Sequence, residues 1–527
     1  MTIYVNFFIH SEDFISVESQ HATQRAAELF ARHGLKADFY LTGLVAERMM
    51  TDAPETIDTL RRTRMPISYH ADIHAPFPTL PQRVCNMSWD EAVAETVLQE
   101  THHLDPLTGE LTEDRPNQMA LLTEIFGRPP LVTIGAVAGQ GAQAIRHAQH
   151  QLGVPMASTN GSMLSLSLVW HNGMLRGLPS PNSYFYLIER FVRPDRGKPM
   201  RVDQSADQVV AILDRQVEQI PRGEDSILSV GVHDFTFALT DGWIGCYIDR
   251  ETHQRRNPSL LWASPPLPAF EQERIWRVYE SVVAYCAQHP DIEIITAEDV
   301  LGWVEPLPET QTLSGSEVLA VAEGVLERWA GPGYPPAHVK VGGRELSLAD
   351  CFQALVHALA SYRRQGSLPE TVVIRELVGP TDTPVTLAIK QGEFQSCWLL
   401  GGEKVADLAA AVETKMTDRI PGVVDLTGGE RPVPSLLAFG QPPSQTEGLM
   451  NPAEFLYTAA QVVQSLGRTG EPGRALVTGA NLLPQPAVLR RTEGRWPPFS
   501  APQEDYSAQE WLADLQTWTV KTALFRR

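Results

Sequence analysis

The chain has 527 residues, 43% hydrophobic and 20% charged, a balance that excludes a disordered or fibrous protein and fits roughly two to four globular domains. With 43 Lys and Arg against 63 Asp and Glu the formal charge is -20, which repels phosphate backbones and excludes nucleic acid as a general partner. No run approaches the about 18–20 apolar residues of a membrane-spanning helix. The opening MTIYVNFFIHSEDF reads as a strand and not as a signal peptide, so the expected localisation is cytoplasmic, with a wall-associated or secreted placement left open. The five cysteines (Cys85, Cys246, Cys286, Cys351, Cys397) are scattered and fit buried small hydrophobes better than disulfides or a zinc site.

Apolar strand-like runs alternate with helical stretches from the start. Strands are expected at 3–9 (IYVNFFI), 37–41 (ADFYL), 66–69 (PISY), 131–137 (LVTIGAV), 154–158, 226–232 (SILSVGV) and 292–295 (IEII). Helices are expected at 21–32, 56–64, 142–152 and 269–288, while 161–222 is hard to parse and has room for one or two more strands. This pitch means parallel strands with crossover helices, in a barrel or a doubly wound sheet. A Pro/Ser/Gly-containing linker at 305–316 ends the pattern. Beyond it a weak internal repeat is visible, CFQALVHALASYRRQGSLP at 351–369 against EFLYTAAQVVQSLGRTGEP at 454–472. The expected divisions are 1–305, 306–385 with the linker and a first helical unit, 386–485 with a second unit, and 486–527. That last segment reads as a Pro-rich stretch and a helix docked through Trp511 and Trp518.

In parallel α/β barrels the loops after the strands hold the chemistry. After the first strand come His10, Glu12 and Asp13; after the third, His70, Asp72 and His74; after the 226–232 strand, His233 and Asp234. Three strands thus deliver histidines and carboxylates to one rim. His70 and His74, four apart, share a face on a helical turn and can reach one divalent metal, with a carboxylate from another strand completing the site. Zinc suits such ligands, lowering the pKa of bound water and polarising a carbonyl. His102 and His103 read as a solvated face. Trp243, Tyr247 and Trp262, in the long loop after His233, are candidates for a sugar-stacking platform.

These motifs resemble the polysaccharide deacetylases, the NodB-type carbohydrate esterases, over residues 3–303. IHSEDF is similar to the family's opening strand with its two acids, GLKADFYLTG to the next strand, HADIH to the histidine pair, and ILSVGVHD to the strand that ends in a catalytic histidine. The resemblance implies a distorted (β/α) barrel and a metal-dependent hydrolase, with Glu12 as base, His233 as acid, and Asp13, His70 and His74 as metal ligands. His10, Asp72, Asp234, Trp243 and Trp262 would neighbour the ligands or the substrate. It departs from the family at three points: Glu12 stands in place of Asp, Ala71 in place of a hydroxyl residue, and the expected Arg after the fourth strand is missing, with Arg128 ahead of that strand instead. PPAHVKVGGRELSLADCFQALVHAL and NPAEFLYTAAQ resemble pseudomurein-binding repeats, which implies a mainly helical C-terminal region holding a cell-wall polymer. The expected function is removal of acyl groups from a wall glycan. A catalytically degenerate glycan-binding scaffold and a small cyclic-amide hydrolase are the alternatives.

Overall fold

The computed structural model describes residues 2–71, 80–84, 87–105, 110–112, 116, 118–134, 140–157, 168–177, 226–240, 264–329, 335–336, 338–380, 398–421, 424–425, 449–477, 518–519 and 521–524, with a few positions between 207 and 214. Its N-terminal part is built on β1 (Ile3–Ser11), β2 (Asp38–Leu41), β3 (Ile67–His70), β6 (Val132–Ile134), β7 (Met156–Ala157), β8 (Leu168–His171), β9 (Met174–Gly177), β10 (Ser226–His233) and β11 (Ile292–Ile295), with a short ribbon of β4 (His103–Leu104) and β5 (Leu111–Thr112) to one side. The main sheet runs β10-β1-β2-β3-β6-β7-β9-β8 and ends on β20 (Lys521–Thr522). It is parallel from β10 to β9, then turns antiparallel at β8 and β20. The result is a curled half-barrel; among the described residues β10 and β20 do not pair to close it.

Helices α1 (Val17–Arg32), α2 (Gly43–Asp52), α3 (Pro54–Thr63), α4 (Leu80–Val84), α5 (Trp89–Thr101), α6 (Gln118–Phe126) and α7 (Gln140–Gln151) follow in order, then α8 (Phe235–Ala238), α9 (Ala269–Gln288) and α10 (Ala297–Trp303). Alternation along β1 divides the core. Ile3, Val5, Phe7 and Ile9 face the helices with Phe30, Phe39 and Tyr279. Tyr4 and Phe8 face the concave side with Tyr40, Ile134, Met156, Trp170 and Val300.

One edge of β1 is shared. β11 pairs with residues 3–6 and β2 with residues 8–11. Asp38 sits at the changeover, accepting from Asn6 Nδ2 at 2.6 Å and from the Ala297 N–H of α10 at 2.9 Å. Burial pushes its carboxyl up to about 7.

The described residues of segment 161–222 include two strands, β8 and β9. They meet at Asn172-Gly173, where both residues have positive φ (49° and 79°), the geometry of a two-residue type I′ hairpin.

The C-terminal part contains two units of one plan. In the first, β12 (Thr310–Ser314), α11 (Gly315–Arg328), the hairpin β13 (His338–Val341)–β14 (Arg344–Ser347), α12 (Leu348–Gln365) and β15 (Thr371–Arg375) succeed one another, and β12 pairs antiparallel with β15. In the second, β16 (Trp398–Gly401), α13 (Gly402–Lys415), β17 (Val424–Asp425), β18 (Leu449–Met450), α14 (Pro452–Thr469) and β19 (Arg474–Val477) repeat that order, and β16 pairs with β19. Capping boxes Ser347/Asp350 and Asn451/Glu454 start the long helices, and left-handed Gly366 and Gly470 end them. The units share a core in which Phe352 and Phe455 lie 5.8 Å apart.

The described part of the tail is extended at 521–522 where a helix was expected. Trp518 is buried as foreseen, in the core of the paired units; Trp511 lies outside the described residues. The tail also joins the two parts: Thr519 Oγ1 donates to Asn172 Oδ1 at 2.7 Å, and Lys521 pairs with Glu376 at 2.6 Å and Asp350 at 3.1 Å.

Candidate active site at the strand ends

The concave face of β1 continues upward from Phe8 to His10, and Glu12 follows just past the strand. His233 ends β10 directly opposite His10, and His70 ends β3. Close approach of β1 and β10 depends on Gly231, because a Cβ there would lie 2.3 Å from the Phe8 ring. His10 stacks on Tyr40 at 5.2 Å between centroids and 10° between planes, and it meets Phe8, His70 and His233 at 5.0, 4.9 and 5.2 Å. His233 stacks on Phe235 at 4.7 Å.

Three imidazoles converge on one oxygen of Glu12. Oε1 lies 2.9 Å from His70 Nε2, 3.3 Å from His10 Nδ1 and 3.4 Å from His233 Nε2. The Glu12 side chain is 4% exposed and that of His233, at the rim, 15%. Burial pushes the Glu12 carboxyl up, but the neighbouring His70 and His233 outweigh it and hold the group well below the usual carboxylate range. Burial takes the His10 imidazole down to about 3, so its ring is neutral at any ordinary pH. His10, Glu12 and His233 each offer a ligand atom within 4.8 Å of the others, a set chemically suited to a divalent metal.

Asp13 is placed differently. Its Oδ1 accepts the Ile15 and Ser16 N–H groups at 2.9 and 3.2 Å, and Oδ2 accepts the Ser19 hydroxyl at 2.8 Å. The carboxylate thus fastens the entry to α1. Asp234 starts α8, accepting the Phe235 N–H at 2.7 Å and the Thr23 hydroxyl at 3.3 Å. Burial raises both carboxyls, and Asp13 raises Asp234 further.

Asp72, His74, Trp243, Tyr247 and Trp262 lie outside the described residues. Arg128 forms a surface ion pair with Glu298 at 3.0 Å. His103, expected on a solvated face, is buried and lies 3.3 Å from Glu47. The sequence reading placed His10 beside the site but missed it as a member of the central cluster. The period-two pattern Phe8, His10, Glu12 was the available signal.

No family model and no curated protein matches the chain. Several solved structures are similar to part of it, among them polysaccharide deacetylases and a family 4 carbohydrate esterase. A protein described as a polysaccharide deacetylase from Mycobacterium smegmatis is 10% identical, with a TM-score of 0.35 over 57% of this chain and 89% of its own. The family 4 carbohydrate esterase from Streptomyces lividans is 10% identical, with a TM-score of 0.25 over 53% of this chain and 88% of its own. The 4-alpha-glucanotransferase from Thermococcus litoralis is 11% identical, with a TM-score of 0.32 over 62% of this chain and 44% of its own.

Proposed function

We propose that the cluster around Glu12 is the reaction centre of a metal-dependent hydrolase that removes acyl groups, held by amide or ester bonds, from a glycan. The observation that carries this reading is the convergence of His10, His70 and His233, from three strand ends, on a single carboxylate oxygen. Four polar side chains at the top of an apolar half-barrel have no structural need of one another. Each would cost less free energy in water, so their joint burial is retained for chemistry.

A bound divalent ion, zinc by the donor set, would polarise the acyl carbonyl and acidify water. The chain's own residues do the rest. The apolar floor of Phe8 and Tyr40 excludes bulk water below the cluster, while the imidazoles and the carboxylate would hold the ion where water and the acyl group can reach it. His233 stands at the open side, where a substrate would enter.

The test is acyl release. Zinc-loaded protein is incubated with chitin oligomers, peptidoglycan and cyclic amides, and acetate or ring-opened product is measured. Release from the glycans, lost in His233→Ala, is the expected result. Turnover of cyclic amides alone would replace the glycan with a small-molecule substrate. No turnover of either would leave a glycan-binding scaffold on the same half-barrel.

A further inference from the structure

We propose that the divalent ion is held by His10, Glu12 and His233, and that His70 is a positioning residue that hydrogen-bonds Glu12. Asp13 and His70, implied as ligands by the family resemblance, are on this reading not ligands, and His74 lies outside the described residues. This inference rests on the metal-dependent reading above and concerns which side chains serve it.

Spacing is the first support. A tetrahedral ion with nitrogen and oxygen ligands at about 2.0–2.2 Å holds those atoms about 3.4 Å apart. Glu12 Oε1 is 3.3 Å from His10 Nδ1 and 3.4 Å from His233 Nε2, spacings that would suit ligands of one such ion. The 2.9 Å from the same oxygen to His70 Nε2 is short for two ligands of one such ion. It is the length of an imidazole N–H donating to a carboxylate. A ring that donates in this way orients the carboxylate toward the metal.

The second support is the direction of the two adjacent acids. Glu12 continues the inward face of β1, and Asp13 turns away to accept three hydrogen bonds from residues 15, 16 and 19. Recruiting Asp13 would strip the start of α1 of those bonds.

The third is access. His10 and Glu12 form the closed side of the cluster, and His233 lies on the open side. Two histidines and one glutamate is the donor set of a catalytic site and not of a closed structural one.

The experiment is a cobalt(II) titration of metal-stripped, full-length protein, read by visible absorption, with folding checked by circular dichroism. Wild type, His10→Gln, His233→Gln, Asp13→Asn and His74→Gln are compared. One equivalent should bind to wild type, with affinity weakened about tenfold or more in His10→Gln and His233→Gln, and kept within about threefold in Asp13→Asn and His74→Gln. Should the buried His10 variant fail to fold, the His233 variant at the rim carries the same discrimination. The reverse pattern would overturn this ligand set while leaving the metal-dependent reading intact. Folded wild type that binds neither cobalt(II) nor zinc(II) would overturn both.

Discussion

The half-barrel and the paired C-terminal units bury polar side chains for different ends. In the C-terminal units the buried Ser347, Asp350, Asn451 and Glu454 start helices, each bonded to a capping partner three residues away, and Asp350 also meets Lys521. In the half-barrel, the buried His10, Glu12 and His70 and the partly buried His233 meet from three strand ends, and their contacts begin no helix. Local partners make a buried polar group inexpensive and structural. Several such groups gathered from remote strand ends are what the proposed chemistry requires.

Substitutions should separate the two regions most sharply at Glu12. Glu12→Gln keeps the volume and removes the charge, and acyl release should fall by about 10²–10⁴-fold with an unchanged circular dichroism spectrum. A variant of full activity would erase the contrast.

Below it in size stands the response of the half-barrel to pH. Burial pushes Asp38 and Glu100 up to about 7, well above the about 4 of an unfolded chain. Between those values the folded state binds more protons than the unfolded state. Their contribution to stability is therefore full below about pH 4 and declines as pH rises to about 7. Thermal melts at pH 5, 6, 7 and 8 should show a shallower decline for Asp38→Asn than for wild type.

Gly231→Ala is expected to cost about 1–3 kcal/mol through overpacking against Phe8, measured by denaturant unfolding. It should also disturb His10, which packs on that ring. The smallest effects belong to the C-terminal caps. Ser347→Ala and Asn451→Ala should each cost about 1 kcal/mol, with metal content and acyl release unchanged. Lost activity in either cap variant would show that the regions are coupled.

Much of this was legible in the sequence, and the failures have physical causes. Strand–helix alternation and the runs IYVNFFI and SILSVGV gave the parallel core, because buried parallel strands are apolar throughout. The strand-end positions of His10, His70 and His233 were legible from their place at the ends of strand-like runs. Which of the consecutive acids faces inward was not, since that depends on the phase of β1 against β10 and β2, a tertiary quantity. Room for one or two strands in 161–222 was legible, but β8 and β9 could not be placed because four-residue strands carry little periodicity, although Asn172-Gly173 between them is a strong hairpin signal. The strand at 521–522 was hidden for a different reason: two residues have no pattern, and their conformation is imposed by the edge of β8.

That last strand bears on how the protein is made. The sheet begins at residue 3, yet its outer edge is covered by a segment more than 500 positions later. Emerging from the ribosome, the chain cannot form the pairing of β20 with β8 until both C-terminal units have been synthesised. Lys521 can then reach Glu376 and Asp350, and one short segment completes the sheet and fastens the paired units to it. The pairing at the sheet edge and the contacts of Lys521 thus both depend on the last residues to be made.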